Sequence, residues 1–471
     1  MNNSSKPTRR QALASTVATP LALLAASKAA DAAAPPPNIL FILADDFGYA
    51  DLSCYGRRDF ETPNIDRLAA QGMRFTQAYA NSAVCSATRT ALITGRYQDR
   101  LAAGLEEPIV SRDVGIPPAQ PTLPSLLRDA GYETALVGKW HLGKLPKYGP
   151  LQSGYQHFWG YRGGAVDYFS HSFAGHPDLW DGDTPIEQAG YLTDLLGDRA
   201  VRLLGDFSRL NRPFLLSLHF SAPHWPWEGP SDAAESTRLA GARTGEQMHD
   251  FDGGSQRTYA AMVMRLDQQV GRVVAELDRL GLADSTIVVF TSDNGGERFA
   301  DTWPLTGRKT ELLEGGIRVP AIVRWPGMAH PGSTSDAQIM SMDWMPTFVA
   351  AAGTNPASAY PPDGIDITPA IRGAALPLRT LCWRYKYHAQ RACRRGPWKY
   401  LQINGNSFLF NVEEDSLERA NLKARQPNRF ADLERQWMQW NSTMLPIDPK
   451  SDSGGFDGSE LADHFGVRPE D

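Results

Sequence analysis

The sequence predicts an α/β fold, in which a large, mostly parallel sheet is sandwiched between helices and a smaller C-terminal α+β subdomain contains an antiparallel sheet. Short apolar runs alternate with helical patterns as far as about residue 370, as a parallel sheet with helices on its faces requires. The runs are almost continuously apolar, which indicates strands buried on both faces. A hairpin pattern then replaces the alternation. We therefore expect one domain over 35–370 and a second over 371–471.

Local signals predict each element in turn. The first strand is predicted over 38–44, an almost unbroken apolar run. Thr62 and Pro63 supply an N-cap and a first-turn proline for the helix that follows, and Thr122 caps the next helix. Further strands are predicted at 134–137, 214–218 and 286–290, and longer helices at 195–207 and 259–280.

The C-terminal region carries a hairpin signal. Strand-like runs at 398–403 and 408–410 flank Asn404-Gly405, and Asn-Gly is the favoured dipeptide of two-residue hairpin turns. The segment that starts at Asp448 is rich in Ser, Asp and Gly, so we expect a loosely held surface segment.

Composition restricts the class of protein. The chain has 471 residues, a formal net charge of −6 and 42% hydrophobic residues, which is ordinary for a globular protein and excludes a collagen-like or disordered chain. The basic residues are scattered rather than clustered. We therefore expect no nucleic-acid partner.

The first 34 residues resemble an export signal. A basic start with Lys6, Arg9 and Arg10 precedes an apolar stretch over 13–27, and Ala30-Asp31-Ala32 offers a cleavage site. The stretch is shorter than the roughly 20 residues that span a bilayer, so we expect no permanent membrane anchor. The arginine pair partly matches a twin-arginine signal. The mature protein is predicted to be periplasmic or secreted.

Polar pairs follow two of the predicted strands. Asp45 and Asp46 end the first strand, and Asp293 and Asn294 follow the strand at 286–290. Ligands of open α/β sheets bind at the carboxyl ends of the strands, and oxygen donors suit Ca²⁺ or Mg²⁺ better than zinc. The alternative is that these residues cap helices or face solvent. Two such pairs favour a metal site.

Cys85 is the second candidate for a functional residue, after the strand-end pairs. If it opens a helix, Arg89 lies one turn along the same face, and a cation together with the helix N-terminus makes a thiol reactive. A buried, inert cysteine is an equally good interpretation from position alone.

The segment Cys85-Ser-Ala-Thr-Arg89, followed by Leu92-Ile-Thr-Gly-Arg96, resembles the signature of the type I sulfatases, arylsulfatase-like and formylglycine-dependent members of the alkaline phosphatase superfamily. Ala87 stands where that family most often has proline. Other blocks resemble the family in the same order: the two strand-end pairs, Lys139-Trp-His141, Ala222-Pro-His224, Gly307-Arg-Lys309 and Trp398-Lys-Tyr400.

The resemblance implies a sulfuric ester hydrolase. A separate maturation enzyme would oxidise Cys85 to formylglycine, whose hydrate attacks sulfur and leaves a covalent sulfo-enzyme. His224, aided by Lys309, would protonate the leaving group, and His141 would help to release sulfate. The implied catalytic residues are Cys85, Arg89, Lys139, His141, His224 and Lys309. The implied Ca²⁺ ligands, with Mg²⁺ less favoured, are Asp45, Asp46, modified Cys85, Asp293 and Asn294.

Several alternatives remain at this stage. The chain could be a phosphonate monoesterase or phosphodiesterase of the same superfamily, a non-catalytic binder of anions or sulfated glycans, or a simple thiol enzyme. The substrate could be an aryl or a carbohydrate sulfate. Trp225 and Trp227 either stack on it or pack in the core, and a Cys382–Cys393 bridge is possible. Four histidines receive no role: His157, His171, His176 and His219.

Overall fold

The computed structural model describes residues 35–249 and 253–455. The export signal predicted over 1–34 lies outside the described residues. Within the described part of the chain, no helix is long and apolar enough to cross a membrane. The predicted domain boundary at residue 370 stays a prediction.

The strands are β1 (Asn38–Ala44), β2 (Met73–Tyr79), β3 (Glu133–Lys139), β4 (His157–Tyr161), β5 (Ser172–Phe173), β6 (His176–Pro177), β7 (Trp180–Asp181), β8 (Thr184–Pro185), β9 (Phe214–His219), β10 (Thr286–Ser292), β11 (Arg318–Arg324), β12 (Ser333–Ser335), β13 (Ile339–Met340), β14 (Thr380–Tyr385), β15 (Gln390–Arg395), β16 (Trp398–Ile403) and β17 (Asn406–Asn411). The helices are α1 (Pro63–Gln71), α2 (Cys85–Thr94), α3 (Leu123–Asp129), α4 (Leu192–Phe207), α5 (Ala233–Leu239), α6 (Gly245–His249), α7 (Gln256–Arg279), α8 (Glu314–Ile317), α9 (Trp344–Ala351), α10 (Thr368–Ile371) and α11 (Pro427–Asn441). The strands and helices that the sequence predicts are confirmed within a few residues at each end.

The large sheet has the order β12-β2-β11-β10-β1-β9-β3-β4-β7-β8, and β13 also pairs with β2. Its central strands are parallel: β1 pairs with β9 and β10, and β3 pairs with β4 and β9. β11 is antiparallel to its neighbours β10 and β2. The mostly parallel sheet is therefore confirmed, and the carboxyl ends of β1, β3, β9 and β10 meet at one edge.

Both faces of this sheet are buried, as the apolar runs predict. In β1, Leu40 and Ile42 contribute to the core under α4 and α7, while Ile39, Phe41 and Leu43 contribute to the core on the other face. Side chains alternate between the faces of a strand, so an unbroken apolar run is what a strand between two cores needs.

The second sheet is antiparallel, in the order β14-β15-β16-β17. The predicted hairpin turn is present, with φ of 48° at Asn404 and 78° at Gly405, the left-handed conformation that this turn requires. Cys382 and Cys393 face each other across β14 and β15 and form a disulfide bond, which answers a question that the sequence left open. Cys54 and Cys85 are free cysteines.

A buried charge cluster joins the two sheets. Lys399 on β16 lies 3.1 Å from Glu314 and 2.9 Å from Glu418 (Nζ to Oε1 in each case), and all three side chains have no solvent exposure. Tyr79 on β2 donates a 2.6 Å hydrogen bond to Glu314. Burial raises the pKa of Glu418 to about 7, although Lys399 opposes the shift. Lys399 thus pairs with both buried carboxylates, and Arg394, also buried, lies 3.4 Å from Glu314.

The prediction of a loosely held segment from Asp448 is wrong for residues 448–455, here called the C-terminal strap. Gly454 N donates to Glu107 O at 2.7 Å, and Ser453 Oγ donates to the Glu107 carboxylate at 2.7 Å. Lys386 Nζ donates to the carbonyl of Ser451 at 2.6 Å. Composition indicates exposure but carries no information about these distant partners.

We expect Lys399→Met to lower the free energy of unfolding by about 3–5 kcal/mol, because it leaves the buried carboxylate of Glu418 without its lysine and removes one of the cations that pair with Glu314. Urea unfolding followed by circular dichroism measures this change. Lys450→Met, at an exposed lysine, is the matched control and should change stability by less than about 0.5 kcal/mol. Equal stabilities of the two variants would show that the cluster contributes nothing.

Candidate active site

Four parallel strands deliver polar side chains to one buried cluster. Asp45 and Asp46 follow β1, Asp293 follows β10, Lys139 is the last residue of β3, and His219 is the last residue of β9. All five are buried. The parallel topology explains this convergence, because the carboxyl ends of parallel strands lie at the same edge.

Cys85 enters the cluster from α2, which begins at this residue as predicted. The thiol is buried, and its Sγ lies 3.3 Å from Nδ1 of His141. Burial raises the pKa of this thiol despite the nearby lysines. Of the two interpretations that the sequence left open, burial and the raised pKa favour the buried cysteine, and the guanidinium of Arg89 pairs instead with Asp293. Unmodified Cys85 is a poor nucleophile, which argues against simple thiol catalysis.

Arg89 forms a forked ion pair with Asp293. Its Nε and Nη2 lie 2.9 and 2.8 Å from Asp293 Oδ2. Its Nη1 donates to the carbonyl of Lys139 at 3.3 Å. Burial alone lowers the pKa of Arg89, but Asp293 and Asp45 raise it above its usual value. The guanidinium is therefore charged inside the protein.

Two lysines pair with the first carboxylates. Lys139 Nζ lies 2.5 Å from Asp45 Oδ2, and Lys309 Nζ lies 2.6 Å from Asp46 Oδ2. Together with the Arg89–Asp293 pair, they give three cations and three carboxylates. The cluster is close to electrical neutrality, which makes its burial possible.

The histidines have defined hydrogen-bond partners. His224 Nδ1 lies 2.7 Å from the carbonyl of Trp225, and its Nε2 lies 3.2 Å from Lys309 Nζ. His141 Nε2 lies 2.9 Å from the carbonyl of Ile109. A carbonyl only accepts, so we assign the proton to the nitrogen that faces it in each ring. Burial lowers the pKa of both rings, and lysines lower it further. His141 Nδ1 and His224 Nε2 are therefore the basic atoms of the site.

Lys139 and His141 are two residues apart in the sequence, but the extended conformation of β3 does not continue to His141. The chain turns there with φ of 56°, and Asp46 and Thr310 have φ of 61° and 72°. Such left-handed conformations are unfavourable for residues other than glycine and concentrate at functional sites. Both side chains still reach the cluster, because the turn redirects the imidazole towards Cys85.

The oxygen donors fit a hard cation. Among the described residues, Asp45 Oδ1 and Asn294 Oδ1 are buried and accept no hydrogen bond. Asn294 donates its Nδ2 to Asp46 Oδ1 at 2.8 Å, which orients its Oδ1 away. Burial and then Asp293 raise the pKa of Asp45, so a cation bound at this carboxylate would favour its ionised form. Ligand atoms of Asp45, Cys85 and Asp293 lie within 4.8 Å of one another.

The structure brings every site residue that the sequence predicts into this cluster: Asp45, Asp46, Cys85, Arg89, Lys139, His141, His224, Asp293, Asn294 and Lys309. Their catalytic and ligand roles stay predictions.

Sequence reasoning missed two neighbours of the cluster. His219 Nδ1 lies 3.3 Å from Arg89 Nη1, and burial and then Arg89 lower its pKa to about 3. Its position at the end of β9 is the same signal that identified Asp45. Glu297 accepts from His249 Nε2 at 2.9 Å and lies 3.8 Å from Lys309 Nζ. No pattern in the sequence distinguishes it.

A cavity of about 720 Å³ lies over Cys85, His141, His224 and Lys309. Trp225 lines this cavity, whereas Trp227 is buried in the main core, so the two neighbouring tryptophans have different places. His176 also lines the cavity. His157 and His171 instead contact Glu133 and the carbonyl of Gly190.

Comparisons with known proteins agree with this arrangement. The family model Sulfatase matches residues 37–354. Human arylsulfatase A is 32% identical over 88% of this chain and 85% of its own length. Pig N-acetylgalactosamine-6-sulfatase is 33% identical over 80% of this chain and 74% of its own. The crystal structure of Ps i-CgsB in complex with k-i-k-neocarrahexaose has a TM-score of 0.79 and 30% identity, and covers 90% of this chain and 97% of that one.

Gly164 leaves room for the His141 ring. A Cβ at this glycine would lie 2.6 Å from His141 Cε1, so we expect Gly164→Ala to push the imidazole away from Cys85. The fold should persist while kcat for a sulfate ester falls about 100-fold, as a 1 Å misplacement does. Gly205→Ala is the control, since its Cβ meets no atom within 4 Å. Unchanged turnover by Gly164→Ala would show that the position of His141 does not matter.

Proposed function

The chain belongs to the sulfatase family, and from this premise we propose that it hydrolyses sulfate monoesters to an alcohol and inorganic sulfate, using formylglycine derived from Cys85. One observation carries the proposal: the Cys85 side chain lies buried among three cations, two basic imidazole nitrogens and a set of oxygen donors. A buried thiol of raised pKa has little use there, whereas the hydrated aldehyde of formylglycine supplies a nucleophilic hydroxyl and a second hydroxyl for the release of sulfate.

The cations of the cluster would stabilise the charge that develops as the S–O bond breaks. Arg89, Lys139 and Lys309 are fixed by their carboxylate partners at 2.5–2.9 Å. Preorganised charges in a buried site need no reorganisation during reaction, and such electrostatic stabilisation is usually the largest catalytic contribution.

The imidazole rings of His224 and His141 would transfer protons during the reaction. His224 Nε2 would take a proton from Lys309 Nζ, which lies 3.2 Å away, and pass it to the departing alcohol oxygen. His141 Nδ1 would accept the proton of a hydroxyl on residue 85, and the carbonyl of Ile109 holds the other ring nitrogen protonated. Proton transfer by a positioned histidine contributes about 10²–10⁴-fold to a rate.

We propose Ca²⁺ as the metal, held by the carboxylates of Asp45, Asp46 and Asp293, the amide oxygen of Asn294 and an oxygen of the modified residue 85. The support is the all-oxygen donor set and the two buried acceptors without a hydrogen bond. Bound there, the ion would neutralise charge on the sulfate oxygens.

Sulfate esters are favoured over phosphonate monoesters and phosphodiesters because the reported relatives are sulfatases by name. A binder without activity would have no need for a basic nitrogen, that of His141 Nδ1, at 3.3 Å from residue 85. From the basic N-terminal pattern we further propose export to the periplasm or beyond, by machinery that reads the arginine pair, and maturation by a formylglycine-generating enzyme.

Mass spectrometry of the tryptic peptide 75–89 tests the proposal. In protein produced with a maturation enzyme, we expect Cys85 to have lost its thiol and to carry an aldehyde or its hydrate. Turnover of 4-nitrophenyl sulfate should then exceed turnover of the corresponding phosphonate monoester, as expected from relatives that are sulfatases by name.

Cys85→Ala should abolish that turnover with no change in the unfolding midpoint. Cys54→Ala, at the other free cysteine, is the matched control and should leave both the conversion and the activity intact. An unmodified thiol despite a competent maturation enzyme, or full activity of Cys85→Ala, would refute the proposal. Faster turnover of the phosphonate monoester would show that the reaction is phosphonate monoester hydrolysis rather than sulfate ester hydrolysis.

Calcium should raise the midpoint of thermal unfolding, because binding to the native state alone stabilises it by about 2.7 kcal/mol at 100-fold excess over Kd. Asn294→Ala removes one ligand oxygen without a change in charge and should weaken this shift. Scanning calorimetry with and without Ca²⁺ measures the effect, and Asn421→Ala, outside the cluster, serves as control. Equal shifts with Mg²⁺ would contradict the choice of metal, and no shift with either ion would contradict the site.

A further inference from the structure

We infer that the alcohol half of the substrate is an aromatic or otherwise apolar ring rather than a hydroxyl-rich sugar. This inference rests on the proposed function and adds the chemistry of the leaving group. The reported relatives include both arylsulfatases and a sugar sulfatase by name, so family membership leaves the choice open. The cavity over Cys85 decides it.

Apolar side chains form much of the cavity wall outside the part next to Cys85, where the sulfate group would lie. Trp225 packs with its ring centroid 4.8 Å from His224 and 6.4 Å from Phe173, so aromatic faces begin directly beside the proposed proton donor. Val110 also lines the cavity and is 61% exposed. An exposed apolar side chain at the rim of a pocket is typical of a surface that receives an apolar ligand.

The polar side chains in this wall are already engaged. Asp178 accepts from Gly163 N and from Trp180 Nε1, both at 2.7 Å. Arg162 donates to Asp183 at 2.7 Å, and its guanidinium lies 4.0 Å from the centroid of the Trp180 ring. Much of the hydrogen-bonding capacity of Asp178 and Arg162 is thus used within the protein, although the buried Nε of Arg162 has no hydrogen-bond partner.

His249 likewise uses its Nε2 to contact Glu297 at 2.9 Å. The other polar side chains of the described cavity wall, apart from those of the proposed catalytic cluster, are Lys144 and His176, and both are exposed at the mouth. A sugar bound next to residue 85 would therefore bury several hydroxyl groups with few side-chain partners.

The physical consequence is selectivity against hydroxyl groups. A buried hydroxyl without a hydrogen bond costs about 1–3 kcal/mol, whereas an aromatic ring gains from apolar contact and from stacking on Trp225. A cavity of about 720 Å³ lies within the range that accepts a ligand of two or three rings.

Two pairs of esters test the inference in mature protein. Cyclohexylmethyl sulfate and glucose 6-sulfate both carry the ester on a primary carbon attached to a six-membered ring, so they differ mainly in hydroxyl groups. We expect kcat/KM to be at least about tenfold higher for the cyclohexylmethyl ester, since tenfold corresponds to one unpaired hydroxyl. Between phenyl and 2-naphthyl sulfate, the larger ring should have the lower KM.

Trp225→Ala and Phe173→Ala should each raise KM for 2-naphthyl sulfate, by about tenfold for Trp225→Ala, with kcat changed less than threefold. Two variants are used because Trp225 also contacts His224, and a loss of kcat in Trp225→Ala alone would report a displaced histidine. Trp303→Ala is the matched control, since this tryptophan is 64% exposed and lies outside the cavity wall.

A higher kcat/KM for glucose 6-sulfate, or an unchanged KM for 2-naphthyl sulfate in both cavity variants, would overturn the inference while sulfate hydrolysis stands. Failure to hydrolyse any of the four esters by protein with verified formylglycine at position 85 would overturn the proposed function, and the inference with it. Apolar preference combined with raised KM in both variants supports the inference.

Discussion

The need to neutralise buried charge determines how this protein is built. Three cationic side chains and three carboxylates lie together almost without solvent, and an isolated buried charge is too unfavourable to persist. Each charged side chain must therefore lie within ion-pair distance of an oppositely charged one, as Lys139 does with Asp45 and Arg89 with Asp293. Only an edge where several strands end together offers enough backbone to fix so many side chains. The parallel centre of the sheet supplies that edge, and the apolar cores on both faces hold the strands in register.

The same principle governs the contact between the sheets. Glu314 follows shortly after Lys309 in the chain and is held by Lys399 of the second sheet at 3.1 Å. The loop between these residues is thus fixed at one end by the buried cluster around Cys85 and at the other by the cluster of Glu314, Lys399 and Glu418. The C-terminal sheet therefore contributes to the position of the Lys309 ammonium, although none of its residues lines the described wall of the cavity.

The sequence predicted four parallel strands of the large sheet, β1, β3, β9 and β10, from their apolar runs, and it predicted the strand-end pairs from their position after a strand. The other strands of that sheet were not predicted, and the lysines and histidines of the cluster were found only through the resemblance of their motifs to a family. Sequence reasoning failed where the determinant is distant in sequence. His219 ends a strand but has no motif around it, the left-handed turn at His141 follows from where Cys85 lies, and the C-terminal strap is held by Glu107 and Lys386. The Cys382–Cys393 pairing likewise depends on strand register, which spacing alone leaves open.

The C-terminal strap also sets the order in which the site can be completed during synthesis. It closes on Glu106 and Glu107, which precede the Ile109 carbonyl that binds His141. These contacts need residues 452–454, which are synthesised roughly 370 positions after Cys85. At a synthesis rate of about 5–20 residues per second, the ribosome takes about 20–70 s to cover that interval. For that time Cys85 has emerged, but the contacts that complete its surroundings do not yet exist. If Cys85 is converted as proposed, the maturation enzyme would have this period of access to a side chain that the folded protein buries.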